Sequence, residues 1–223
     1  MIHFDSDYMA GAHPEILEAL VRTNLEHTAG YGNDPYTAEA KALIRKAVGV
    51  EDAQVFFLVG GTQTNATLID SILARHEGVL AAESGHIAVH EAGAIEASGH
   101  KVLTLPHHEG KVCAEDVERF MTDFYNDATH EHMVAPGMLY ISQPTEYGTI
   151  YSLGELESLS ATCHRHDIPL YIDGARLGYA LAADGNDATL KDIARLADIF
   201  YIGGTKCGAL FGEAVVVTKP GGI

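Results

Sequence analysis

Two residues of this sequence have the types and spacing to do chemistry together, Asp173 and Lys206. Each stands where a short run of β-branched, aromatic and aliphatic residues stops. The run 168–172 ends at Asp173-Gly174, and the run 199–202 ends at Gly203-Gly204, just before Lys206. Between them Leu190, Ile193, Ala194 and Ala197 recur at three- and four-residue steps, the period of a helix with one apolar face. Strand, helix and strand in that order make a parallel pair, because the crossover returns the chain to the same edge. The acid and the amine therefore leave the sheet at the carboxyl ends of their strands, where open α/β sheets place ligands. Held apart on one rim, they could grip the two ends of a flat ring.

Pyridoxal phosphate is such a ring. It needs a lysine for a Schiff base with its aldehyde and an aspartate beside its protonated pyridine nitrogen. A solvated Lys206 and an Asp173 that merely starts a turn account for these two segments equally well. A third segment bears on the choice. The apolar run 55–59 reads as a strand covered on both faces. Gly60-Gly61-Thr62 then turns into a helix carrying Ala66, Leu68, Ile69, Ile72 and Leu73. Glycine allows close approach there, the first helical amides point outward, and Thr62 adds a hydroxyl, so the junction could hold phosphate. It is neither a Walker loop nor a full dinucleotide fingerprint, and a plain helix cap explains Thr62 almost as well.

His86 and His90, four apart at the start of a small-residue helix expected over 88–97, invite a metal reading. The zincin pattern requires Glu after the first histidine, whereas Ile87 stands here, and no third ligand is at a telling position. No metal is expected, and His86 could simply cap its helix.

The elements that must position these groups follow from the same patterning. A helix led in by Pro14 has Ile16, Leu17, Leu20, Val21 and Leu25 as its expected buried stripe, and a Gly/Asn/Asp-rich loop over 27–35 leads to a second helix from Pro35 to Ala47. Further strands are expected at 79–81, 101–105, 138–141 and 214–218, the last antiparallel, and further helices at 115–125 and 153–166. The loop 142–148 falls on the active rim, and 127–136 reads as a solvated acidic loop. This alternation predicts one α/β domain over residues 1–223: three layers, with a mostly parallel seven-stranded sheet and helices on both faces.

Composition sets outer bounds. Fourteen basic against thirty-one acidic side chains give a net charge of −17, which disfavours nonspecific binding to nucleic acid or anionic membrane. No apolar run reaches the roughly 18–20 residues of a membrane span. Met1-Ile2-His3-Phe4-Asp5 lacks a basic start and an apolar signal core, so a cytoplasmic protein is expected. Cys113, Cys163 and Cys207 have no metal spacing and suit a reduced compartment; Cys207, beside Lys206, is read as a packing residue.

Taken together, Gly60-Gly61-Thr62-Gln63-Thr64-Asn65, Asp173-Gly174-Ala175-Arg176 and Gly204-Thr205-Lys206 stand in the order seen in fold-type-I pyridoxal phosphate enzymes. With Ser6-Asp7, Tyr31-Gly32-Asn33-Asp34-Pro35 and His86 added, the chain resembles the threonine aldolase branch of the β-eliminating lyases over essentially its whole length. The resemblance implies a lyase that cleaves β-hydroxy-α-amino acids, threonine giving glycine and acetaldehyde. It implies that Lys206 holds the cofactor, Asp173 keeps its ring nitrogen protonated, and Gly61 and Thr62 hold its phosphate. Arg176 would meet the phenolate oxygen, and His86 would stack on the ring and serve, directly or through water, as the base. Ser6 and Tyr31 would border the substrate site, Tyr31 partly across a subunit interface, in a homodimer or homotetramer.

The chain departs from that family at its end. Relatives continue from Lys219-Pro220-Gly221-Gly222-Ile223 into a smaller domain that usually supplies an arginine for the substrate carboxylate. Of the seven arginines here, all but Arg176 fall on polar faces of predicted helices, so none takes that role. β-Elimination from an aromatic or sulfur amino acid, and a non-catalytic domain that binds cofactor or a partner, are the alternatives.

Overall fold

The computed structural model describes residues 5–219; the expectations for Met1 to Phe4 and for 220–223 lie outside them. The chain runs α1 (Pro14–Thr23), α2 (Pro35–Val48), β1 (Gln54–Leu58), α3 (Gly61–Ile72), β2 (Glu77–Ala82), α4 (His86–Val89) and α5 (Ala94–Ala97). It continues through β3 (Val102–Leu105), α6 (Ala114–Asn126), β4 (Ala135–Ser142), α7 (Leu153–Arg165), β5 (Leu170–Asp173) and α8 (Leu177–Ala182). α9 (Leu190–Leu196), β6 (Ile199–Gly203) and β7 (Glu213–Val217) complete it. Local chemistry explains the boundaries. Pro14 and Pro35 open their helices, and Ser152–Glu155 and Thr189–Asp192 form reciprocal capping boxes on α7 and α9.

The seven strands form one sheet in the order β1-β7-β6-β5-β4-β2-β3. β7 is antiparallel to both β1 and β6, and the remaining pairings are parallel. Reversal at β7 occurs twice across its two neighbours, so β1 again runs with the parallel set, and its carboxyl end joins the common rim. Side chains alternate across the sheet and build a core on each face. Leu80, Leu139, Ile172 and Phe200 pack beneath α6, α7 and α9, while Val79, Met138, Tyr171 and Tyr201 pack with Leu68 and Ile69 of α3.

Five expectations are corrected. The strand expected over 55–59 is β1, an edge strand with Phe56 49 % and Phe57 44 % exposed, not one covered on both faces. Continuous apolarity does not say which strand ends the sheet. The stripe on α1 is uncovered: no residue of α1 is buried, and Leu17, Leu20, Val21 and Leu25 are all exposed. The helix expected over 88–97 is two short helices, broken where Ala92 and Gly93 take φ of 51° and 74°. Cys207 is exposed, while Cys163 is the buried cysteine. Arg75, assigned to a helix, lies in a turn.

Among the described residues no helix is long and apolar enough to cross a membrane.

Candidate active site

β5 delivers Asp173 as its last residue, on the same face as Tyr171, the face covered by α3. The carboxyl group is buried, at 4 % exposure, and four donors converge on it. Oδ1 accepts from Tyr201 Oη at 2.5 Å and from the Ala175 amide at 3.0 Å. Oδ2 accepts from Tyr140 Oη at 2.6 Å and from Asn65 Nδ2 at 3.0 Å. Burial, then the charge of Asp173, pushes the phenols of Tyr140 and Tyr201 well above the ordinary tyrosine range, so both remain donors. Gly174 is required next: a Cβ there would lie 1.8 Å from the Tyr201 carbonyl oxygen.

At the end of β1, α3 begins without a side-chain cap, because Gly60 has none to offer. The first helical amides therefore have no partner within the helix, and Gly61 and Thr62 face the same cavity as Asp173. After β2, His86 opens α4. Its amide donates to Glu146 Oε1 at 3.0 Å, which also accepts from Ser142 Oγ at 2.7 Å. Its ring donates from Nδ1 to Glu91 Oε1 at 2.7 Å. That hydrogen bond raises the imidazole above its ordinary value, with burial working against it.

Lys206 follows β6 in a loop fastened by Glu213, the first residue of β7. Glu213 accepts from the Gly204 amide at 3.1 Å and the Thr205 hydroxyl at 2.8 Å, and Tyr179 Oη donates to the Lys206 carbonyl at 2.6 Å. Burial, then the nearby Arg176 cation, lowers the Lys206 ammonium below the usual lysine range. Arg176 itself, just ahead of α8, forms an ion pair with Asp7. Burial opposes its charge, and Asp7 outweighs burial, so the guanidinium is held more firmly protonated.

The structure brings Gly61, Thr62, His86, Asp173, Arg176 and Lys206 to one cavity of about 290 Å³. It does not bring Ser6 or Tyr31 there. Tyr31 is fully exposed with φ of 60°, and Ser6 accepts from the Tyr8 amide at 3.5 Å; Tyr8 rather than Ser6 lines the cavity.

Sequence reasoning missed Asn65, Glu91, Tyr140, Tyr201, Glu146 and Glu213. One signal was available: Asn65 lies three and four residues before Leu68 and Ile69, so it sits on the buried face of α3. A polar residue at a core phase must find a partner. No comparable signal marks Glu91, whose burial depends on the break between α4 and α5.

The donor set suits a phosphorylated, nitrogen-containing ring. An uncapped helix start would meet its phosphate, an acceptor-only carboxylate its protonated nitrogen, and an amine of lowered proton affinity its aldehyde.

A family profile described as Beta-eliminating lyase matches residues 3–221. The low specificity L-threonine aldolase of Pseudomonas sp. (strain NCIMB 10558) is 32% identical over 215 residues, which are 96% of this chain and 61% of that protein. A solved structure of Leishmania major threonine aldolase superposes with a TM-score of 0.92 at 47% identity, covering 97% of this chain and 64% of the other. Thermus thermophilus aspartate aminotransferase, at 20% identity and a TM-score of 0.71 over 92% of this chain and 56% of its own, shares the fold. The chain thus spans about three-fifths of the length of the two Pseudomonas relatives it matches, 61% in each case.

Proposed function

The chain belongs to the β-eliminating lyase family, and from that premise we propose that the protein is a pyridoxal phosphate-dependent aldehyde-lyase acting on β-hydroxy-α-amino acids. Threonine would give glycine and acetaldehyde. The observation that carries this reading is the placement of the four-donor Asp173 and the lowered Lys206 on one cavity, with the uncapped start of α3 beside them. The names of the bacterial and Leishmania relatives favour threonine-type substrates.

When bound, the cofactor supplies an electron sink for the pair released as Cα–Cβ breaks. The chain's own residues do the rest. Lys206 provides the amine that carries the cofactor, and Asp173 keeps a proton at the pyridine nitrogen. Gly61 and Thr62 hold the phosphate at the α3 start. Arg176, fixed by Asp7, offers a cation to the phenolate oxygen. His86, which lines the same cavity, would stack on the cofactor and take the β-hydroxyl proton at Nε2, since Nδ1 is already bonded to Glu91.

In this reading residues 1–223 are the cofactor-binding large domain. Ser6 and Tyr31 serve the substrate site of an assembled homodimer or homotetramer, which the bare apolar face of α1 supports. The three unpaired cysteines suit a cytoplasmic setting.

The test is a product assay on the full-length protein with threonine. Glycine and acetaldehyde in equal amounts are expected. Ammonia with a keto acid would replace the reading by β-elimination, and no turnover of either kind would retire it.

A further inference from the structure

Glu91 is buried, its side chain fully so, and the chain is bent to put it there. α4 ends two residues before it, at Val89, and the residue after it, Ala92, takes a left-handed φ of 51° that costs any residue with a Cβ. The side chain then enters beneath α3 with unequal oxygens. Oε1 accepts twice, from His86 Nδ1 and from Asn65 Nδ2, each at 2.7 Å. Oε2 is buried with no hydrogen-bond partner. A buried carboxylate with one orphaned oxygen is a costly way to anchor a turn. Asn65 carries the connection onward to Asp173 at 3.0 Å and accepts from Tyr171 Oη at 2.7 Å. His86, Glu91, Asn65 and Asp173 thus form one unbroken chain beneath the cavity.

We propose that Glu91 is a positioning residue for His86: it fixes the ring's orientation and keeps the proton on Nδ1, so that Nε2 is the nitrogen left for substrate. This rests on the reading of His86 as the base, and it adds what makes a histidine effective in that role. A carboxylate behind an imidazole selects the tautomer and stabilises the cation formed when the other nitrogen takes a proton. The direction agrees with the influences on the ring. Glu91 raises its proton affinity most, Asp173 adds to it, and burial and Lys206 oppose. Glu146 faces the His86 amide, and the His90 ring lies 5.7 Å away.

The orphaned oxygen makes a clean test possible. In Glu91→Gln the amide oxygen can keep both hydrogen bonds, while the new NH₂ falls where nothing was paired, so shape is kept and charge removed. The experiment is ¹⁵N and ¹H NMR titration of the full-length protein without cofactor, with the His86 signals assigned by their loss in His86→Gln. Wild type is expected to show the Nδ1–H tautomer and a raised midpoint. Glu91→Gln should keep the tautomer and lower the midpoint, and Glu91→Ala should lose both. In the assay, Glu91→Gln should move the acid limb of the pH–rate profile down by the same interval.

A His86 midpoint unchanged in Glu91→Gln overturns the proposal. So does a Glu91→Gln chain that fails to fold, because Glu91 would then be a folding residue first. A displaced midpoint in a protein with no lyase activity would keep the positioning role and retire the reaction instead.

Discussion

Tyr201 donates its hydroxyl to Asp173 at 2.5 Å from the neighbouring strand, so the last residue of β5 is held by a side chain that β6 brings alongside. Together with Tyr140, Asn65 and the Ala175 amide, this surrounds the carboxylate with donors alone. On sequence alone, Asp173→Asn would be expected to fold normally, since asparagine also suits turns. The four donors change that expectation. An amide keeps one acceptor oxygen and turns an NH₂ toward a phenol that must reverse its role and an N–H group, the Ala175 amide or Asn65 Nδ2, that can only donate. A stability loss of about 1–3 kcal/mol is expected. Below the melting transition, aldol cleavage by the full-length variant should also fall on the order of 10²–10³-fold, about 3–4 kcal/mol. Melting and turnover measured on the same preparation separate the two effects, and near-normal turnover would defeat the cofactor assignment.

Lys206 should be the residue that pyridoxal phosphate modifies. Lys206→Ala is expected to lose the visible absorption band and the borohydride-reducible adduct. The direction with pH follows from its lowered ammonium, which leaves more free amine at a given pH. Adduct formation by the wild type should therefore reach its half-maximal rate below about pH 10.4, the value of an ordinary lysine. Rate measurements across pH on cofactor-free protein check this, and an adduct retained in Lys206→Ala would point to another lysine.

Gly174 tests how tightly the rim is built. A Cβ there meets the Tyr201 carbonyl oxygen at 1.8 Å, a backbone atom that cannot swing away. Gly174→Ala should cost about 3 kcal/mol or more and displace Asp173 from its donors. Chemical denaturation gives the first quantity and cofactor affinity the second.

Asp198 sits at the opposite end of the sheet and should govern the acid limb of stability. It is buried at 5 % exposure, and burial raises its proton affinity. The Lys219 ammonium at 2.7 Å, the Leu170 amide at 2.9 Å and His164 at 3.2 Å outweigh that, so its carboxyl titrates below the usual range. A depressed carboxyl contributes stability that is complete above its unfolded value, about 3.9, and lost as pH falls through the folded one. Asp198→Asn should lower stability at neutral pH by about 1–3 kcal/mol and flatten the acid limb, which melting curves across that range would show.

Much of this was legible in the chain because it is local. A strand-forming run stopped by glycine places the next residue at a strand's carboxyl end whatever the rest of the molecule does. Gly61, His86, Asp173 and Lys206 each follow such a run, so their common rim was foreseeable from β/α alternation. The antiparallel β7 was foreseeable for the same reason, as a strand that follows β6 without a helical crossover.

Tertiary structure alone decided which neighbours those residues would have. Tyr140, Tyr171 and Tyr201 read in sequence as ordinary strand aromatics. Only the pairing of β4, β5 and β6 sets their rings side by side, 5.6 and 6.4 Å apart, and points two of the hydroxyls at one carboxylate. Glu91 reads as a surface acid until the turn at Ala92 carries it inside. Likewise periodicity marks the apolar face of α1 and the apolar run of β1, and neither pattern says what will cover them. Hydrogen-bond geometry along the backbone is written into adjacent residues, whereas burial depends on which distant segment arrives, and that is a property of the folded chain.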